Sequence, residues 1–159
     1  MASARNFRVG MVVLLGSIAL TGCSAFAGLF GKSTPTTRLK SLQVSADPQA
    51  NADSATAIDV LFVYDTAVLP LLPADAGAWF RQREGLRNTL GQAVDVVSLE
   101  VPPPYLAAQL VLPARSGHAI RVLAYANYLS REGLAPIDLT TYKQVTLKLL
   151  ADRIDLSGG

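Results

Sequence analysis

The chain has 159 residues, with 14 Lys and Arg against 12 Asp and Glu, one Cys and one His. One Cys excludes an internal disulfide framework and a multi-cysteine zinc site. The formal charge of +2 comes from Arg5 and Arg8 alone; without them the count is 12 against 12, and a near-neutral remainder argues against a nucleic-acid binder held by a net positive field.

Arg5 and Arg8 form a positive stretch with no acid in it, followed by the apolar run Val9 to Leu20. Twelve helical residues reach about 18 Å, short of a hydrocarbon core of about 30 Å. The run therefore reads as the apolar region of a signal peptide rather than a transmembrane helix. Leu20-Thr21-Gly22-Cys23 follows at once. Leu, two small residues and Cys resemble the bacterial lipobox, which implies a signal peptide over 1–22, cleavage after Gly22 and acylation of Cys23, with palmitate as a metabolic label. Three acyl chains exceed the two membrane signals that stable anchoring needs. Ser24, rather than Asp, stands after the Cys, which by the sorting rule of such lipoproteins favours the outer membrane. The lipidated Cys23 and the stretch to Thr37 read as a tether, 23–37. Phe26, Leu29 and Phe30 in it suit either the membrane surface or packing against the domain.

Residues 38–156 read mainly as strands. Arg38 to Ala46 puts Leu42 and Val44 on one face. Ile58 to Asp65 alternates Ile58, Val60, Phe62 and Tyr64 with Asp59, Leu61, Val63 and Asp65, and is rich in β-branched and aromatic residues. Asp75 to Leu90 has helical character: Pro73 and Asp75 suit a helix start, and Trp79, Phe80, Leu86 and Leu90 recur near helical spacing, although Gly85 weakens one unbroken helix. Ala93 to Val101 alternates again. Pro102-Pro103-Pro104 lacks three backbone donors and reads as a rigid extended connection. Ala107 to Leu112, Ala119 to Tyr128 and Gln144 to Leu150 complete the strands; the chain to about Leu156 extends the last or forms a small extra one. The terminal Ser157-Gly158-Gly159 is expected to fray. Six or seven short strands with one helical insertion predict a mainly β fold, a β-sandwich able to bury a core without disulfides.

The sequence holds no Gly-x-Ser-x-Gly, no phosphate loop and no His-Glu-x-x-His. His118, between a turn and a strand, reads as a surface residue. Asp47, Asn51 and Asp53 share a polar stretch, but the Gly and closing Glu of a calcium loop are missing, so an ordinary turn is the expectation. Asp59 and Asp65 read as a solvated strand face. Arg81, Arg83 and Arg87 form a local basic cluster that suits an acidic partner, phospholipid headgroups or plain solvent. Trp79 and Phe80 beside it read as core. No catalytic residue, metal or cofactor is expected beyond the lipid on Cys23.

The layout is similar to that of the TssJ (SciN) lipoproteins of type VI secretion systems. It rests on the lipobox, a strand ending near Ala46, the polar loop Pro48 to Ser54 with its Asn, and the strand Ile58 to Tyr64. A helical insertion around Trp79-Phe80, Leu112-Pro113 before a turn, and a strand running into Ala124 to Tyr128 complete it. Asn51 is followed by Ala52 where the family commonly has Asn-Pro. The resemblance implies a transthyretin-like β-sandwich and no enzyme activity. It implies a lipid anchor in the periplasmic face of the outer membrane. It also implies binding to the periplasmic domain of the inner-membrane component TssM, beside other subunits of the membrane complex. The loop between the first two strands, Asp47 to Ala57, is the implied contact, with Asp47, Asn51, Asp53 and Ser54 as its polar residues. The residues also suit another envelope binding module, pilotin-like or carbohydrate-binding; for the latter Tyr64, Tyr105, Tyr125 and Tyr128 are the candidate aromatics.

Overall fold

The strand that organises the molecule is the one with the strongest alternation. In the computed structural model, which describes residues 36–129 and 133–159, it spans Thr56–Val63 (β2) and is buried along nearly its whole length. It pairs antiparallel with Val94–Val101 (β3) on one side and Arg121–Asn127 (β5) on the other. The two-residue Ile137–Asp138 (β6) closes this sheet, in the order β3-β2-β5-β6. A second sheet is built from Ser41–Ala46 (β1), Tyr105–Gln109 (β4), Gln144–Leu149 (β7) and Ile154–Gly158 (β8), in the order β4-β1-β7-β8. Its central pair, β1 and β7, is parallel, with Leu42 opposite Val145 and Val44 opposite Leu147. The result is a mainly β sandwich of two four-stranded sheets with a helical insertion.

The alternation explains the core between the sheets. Leu42 and Val44 face Ile58, Val60 and Phe62, with Val122, Ala124, Leu147 and Leu149 filling the same layer. Each such side chain, fully buried, contributes roughly 1.5–3 kcal/mol.

The other face of β2 is buried too. Leu61 and Val63 pack under Ala76–Leu90 (α1), with Trp79 and Tyr125 stacked at a centroid distance of 5.2 Å. Trp79 is core, as its sequence setting suggested. Helix α1 begins at Asp75, whose carboxylate accepts the Ala78 N–H at 2.7 Å, and stops at Gly91, which adopts a positive φ of 50°. Gly85 lies on its exposed side and does not break it.

Several expectations change. Asp59 is not on a solvated face: α1 covers it, and it is 1% exposed. Asp65 is not its partner but caps a 3₁₀ turn over Thr66–Leu71 by accepting the Ala67 N–H. The fourth strand begins earlier, at Tyr105, and ends at Gln109. The C-terminus is paired rather than frayed: β8 runs to Gly158, and Gly159 exchanges backbone hydrogen bonds with Gln144. Gly158, at φ 137°, lies so close to the Gln144 carbonyl that a Cβ there would collide with it. The signal peptide, the lipobox and the tether as far as residue 35 lie outside the described residues, as do 130–132; Thr37, expected to end the tether, is buried in the domain, its N–H donating to Ala119 O and its hydroxyl to Thr140 O.

Candidate partner interface

The loop between β1 and β2 is held from below by the end of β7. Asp47 N–H donates to Leu149 O at 3.0 Å and Asn51 N–H to Leu150 O at 3.2 Å. Lys148 Nζ reaches Asp47 Oδ1 at 3.0 Å across the surface. The chain then turns through three consecutive left-handed residues, Asn51, Ala52 and Asp53, at φ 48°, 54° and 59°. Asn and Asp tolerate this region through local hydrogen bonding; Ala does so at a cost of about 1–2 kcal/mol. Strained backbone of this kind persists only where surrounding contacts over-determine it.

Asn51 supplies those contacts. It is 1% exposed. Its Oδ1 accepts the Leu129 N–H at 2.7 Å, and its Nδ2 donates to Ala55 O at 3.1 Å and to Asn127 O at 3.5 Å. One side chain thus ties the loop to its own far end and to the end of β5. The sequence marked Asn51 as a contact residue, whereas the structure gives it the task of shaping the loop from inside. Pro48, Gln49, Ala52, Asp53 and Ala55 are the residues turned outward, while Asp47 and Ser54 are half-buried. Leu106, at the start of β4, and Leu129, just after β5, are both exposed nearby. Asp53 and Asp47 are the acids of the loop; Asp47 pairs with Lys148, and Asp152 and Arg153 line the surface beside it. β1 is six residues long, so this loop lies about 20 Å from the end where the chain enters the domain at Thr36.

The other candidates do not converge on it. His118 is exposed in a 3₁₀ turn, Ser116–His118, at the opposite end of the sandwich. Arg81 and Arg87 are exposed on α1, and Arg83 leans toward Asp59 at 3.8 Å. Tyr125 and Tyr128 are buried; Tyr125 donates its O–H to Pro73 O, and Tyr128 shares its proton between Leu150 O and Arg153 O. Tyr64 and Tyr105 are half-buried against the core. These four tyrosines therefore form no exposed aromatic platform.

One cluster had no signal in the sequence. Arg115 grips Asp95 through Nε at 2.9 Å and Nη2 at 2.8 Å, donates to Gln92 O, and lies 3.9 Å over the Tyr64 ring. Tyr64 O–H donates to Asp95 at 2.8 Å. The Arg115 hydrogen bonds hold the Asp95 carboxyl below its ordinary pKa, while burial and the adjacent carboxylate push the Tyr64 phenol upward. Among the described residues no three His, Cys, Asp or Glu side chains gather as a metal cage, and no helix is long and apolar enough to cross a membrane.

These elements make a two-sheet β-sandwich with one helix on its outer face. Solved structures give it a nearer comparison. The domain is similar to Serratia marcescens Lip, described as a membrane-bound component of the type VI secretion system, with 17% identity over 75% of this chain and 96% of that one, at a TM-score of 0.51. It is similar to the type VI secretion lipoprotein TssJ1 of Pseudomonas aeruginosa, with 14% identity over 79% and 98%, at 0.50. It also matches a structure described as the TssM C-terminal domain (869–1107) from EAEC, with 10% identity over 75% and 97%, at 0.54. The chain thus has the TssJ-like fold that the sequence layout suggested. No protein-family model and no curated protein matches it in sequence.

Proposed function

We propose that this protein is a TssJ-type outer-membrane lipoprotein of a type VI secretion membrane complex, without enzymatic activity. Cys23 carries the acyl chains and the tether to Thr37 supplies reach. The β1–β2 loop at the far end of the sandwich meets the periplasmic domain of a TssM-like inner-membrane protein. The observation that carries this reading is the lipobox Leu20-Thr21-Gly22-Cys23 ahead of a domain with the fold of two secretion lipoproteins. The fold alone leaves the side of the complex open, because a structure described as a TssM domain is matched as well; the lipobox favours the lipoprotein side. Ser24 after the Cys favours outer-membrane sorting.

Two measurements test it. Palmitate labelling should mark the wild type and not Cys23→Ala; an unlabelled wild type sinks the anchor. Titration with a TssM periplasmic domain should show binding that Gln49→Arg with Asp53→Arg abolishes while the fold is retained. Asn51 is left intact because its loss would deform the loop. Unchanged binding refutes the loop as the contact.

A further inference from the structure

The near-neutral charge count conceals a separation of charge along the sandwich. β1 and β7 both start where the chain enters, and three cations gather at that end. Arg38 N–H donates to Thr140 O and Lys40 N–H to Lys143 O, so Arg38, Lys40 and Lys143 sit on adjoining backbone. All three residues are exposed, and none forms an ion pair with a described acid. A Cβ added to Gly117 would lie 3.9 Å from Lys40 Nζ, so this ammonium reaches the Ser116–His118 turn. Of the acids at this end, Asp95 is paired with Arg115 and Asp138 with Arg121. The remaining anions among the described residues, Asp65 and the Gly159 carboxylate, accept backbone N–H groups, of Ala67 and of Lys143 and Gln144.

The other end carries the opposite sign. Around the β1–β2 loop and the turn from β7 to β8, Asp47, Asp53, Asp152 and Asp155 outnumber Lys148 and Arg153. The domain is thus a dipole along β1, positive where the chain enters. Val111, 86% exposed, stands at the positive end too, since the Leu110 N–H before it donates to Leu42 O near the start of β1.

We infer that the positive end is a docking surface for anionic phospholipid headgroups, with Arg38, Lys40 and Lys143 as its contacts and Val111 as an apolar side chain set among them. Charge complementarity selects this occupant. That a membrane lies at this end rests on the anchor proposed at Cys23. Cys23 precedes Thr36 by about 13 residues, so even a fully extended chain keeps the positive end within about 45 Å of the anchor. An anionic surface attracts Lys and Arg only within a Debye length of about 8–10 Å. Contact therefore turns the positive end toward the membrane, and the same field repels the acids of the other end. The domain then stands with its β1–β2 loop facing away from the lipid.

Vesicle flotation of the full chain tests it, with phosphatidylcholine alone or mixed with phosphatidylglycerol, at graded lipid concentrations. Cys23→Ala is present throughout, so no acyl chain contributes; failed palmitate labelling leaves this test standing, and failure here leaves the anchor standing. Arg5, Arg8 and Lys32 are common to every variant. The chain should prefer the mixed vesicles, and adding Arg38→Glu, Lys40→Glu and Lys143→Glu should raise the lipid needed for half-binding about ten-fold, with circular dichroism unchanged. The milder set Arg38→Gln, Lys40→Gln and Lys143→Gln should give an intermediate shift, which decides the matter if the reversed set misfolds. Lys148→Glu with Arg153→Glu, at the other end, should leave binding unchanged. An equal loss there means that net charge and not the positive end is read, and overturns the inference. So does mixed-vesicle binding that the changes at 38, 40 and 143 leave intact. So does the absence of any preference for mixed vesicles, which assigns the positive end to an acidic protein instead.

Discussion

The indole N–H of Trp79 donates to Asp59 Oδ2 at 2.8 Å, fastening helix α1 to the central strand β2 through a carboxylate that is 1% exposed. The second oxygen, Oδ1, has no hydrogen-bond partner among the described residues, and Arg83 stands 3.8 Å from Oδ2. Trp79→Phe leaves the buried carboxylate without its donor and opens a small gap, a combined cost of about 2–4 kcal/mol. Asp59→Asn keeps an acceptor oxygen for the indole and removes the buried charge, so it should cost less than half as much. Urea denaturation of both variants decides. If Asp59→Asn is the more damaging, the charge and not the hydrogen bond holds the helix.

The β1–β2 loop makes a prediction that separates backbone from side chain. Asn51→Ala and Asn51→Gly both lose the bonds to Leu129, Ala55 and Asn127, but only alanine also meets the left-handed penalty. Asn51→Ala should be the less stable of the two by about 1 kcal/mol.

Ala52, exposed at φ 54°, should respond in the opposite direction. The left-handed penalty of about 1–2 kcal/mol exceeds the chain-entropy cost of glycine, about 0.5–1 kcal/mol. Ala52→Gly should therefore raise the melting temperature. A lower one would mean the loop relaxes more freely than its φ values indicate.

Acid should weaken the fold through two carboxylates. Arg115 lowers the pKa of Asp95 in the folded state. At Asp138 burial acts upward, but hydrogen bonds from Thr140 and Arg121 outweigh it and the net shift is also downward. A depressed folded pKa means that the unfolded chain binds the proton more readily. The stabilisation is then full above the unfolded value of about 3.9 and is lost as pH falls through the folded one. Asp95→Asn should flatten the stability profile below about pH 4. Unfolding curves of the two proteins that run parallel there would remove Asp95 from the account.

Alkali should act through buried phenols. Burial pushes Tyr125 and Tyr128 up to about 12. With the folded pKa raised above the unfolded value near 10, their contribution is complete below pH 10 or so and is lost as pH rises toward 12. Tyr125→Phe loses the hydrogen bond to Pro73 O, so it should be weaker at neutral pH yet less sensitive to base. Ultraviolet titration of tyrosinate alongside unfolding measures both effects.

Much of the sandwich was legible because burial on one face leaves a period of two. β2, β5 and β7 all carried it. The second layer was harder to see. Alternation in β2 predicts one wet face, and Asp59 fits that pattern. The insertion that follows folds back over that face, and no local pattern announces that Trp79 will meet Asp59 twenty residues away. β6 was missed because two residues are too few to show a period. Asn51 reads from the sequence as a contact residue of its loop, but a sequence does not reveal whether an amide points outward or inward. Tyr64, Asp95 and Arg115 come from three separate segments and had no shared signature.

The parallel pairing of β1 and β7 has a mechanical consequence. The chain enters at the start of β1, and the rigid loop leaves from its end. Tension between the entry point and an object held at that loop runs along β1. The ladder bonds to β4 and β7 lie across that direction. The covalent backbone of β1 therefore carries the load, and the ladder bonds are not opened one at a time like a zipper. A domain strung between an anchor and a partner would thus resist being pulled apart with the whole length of its strand.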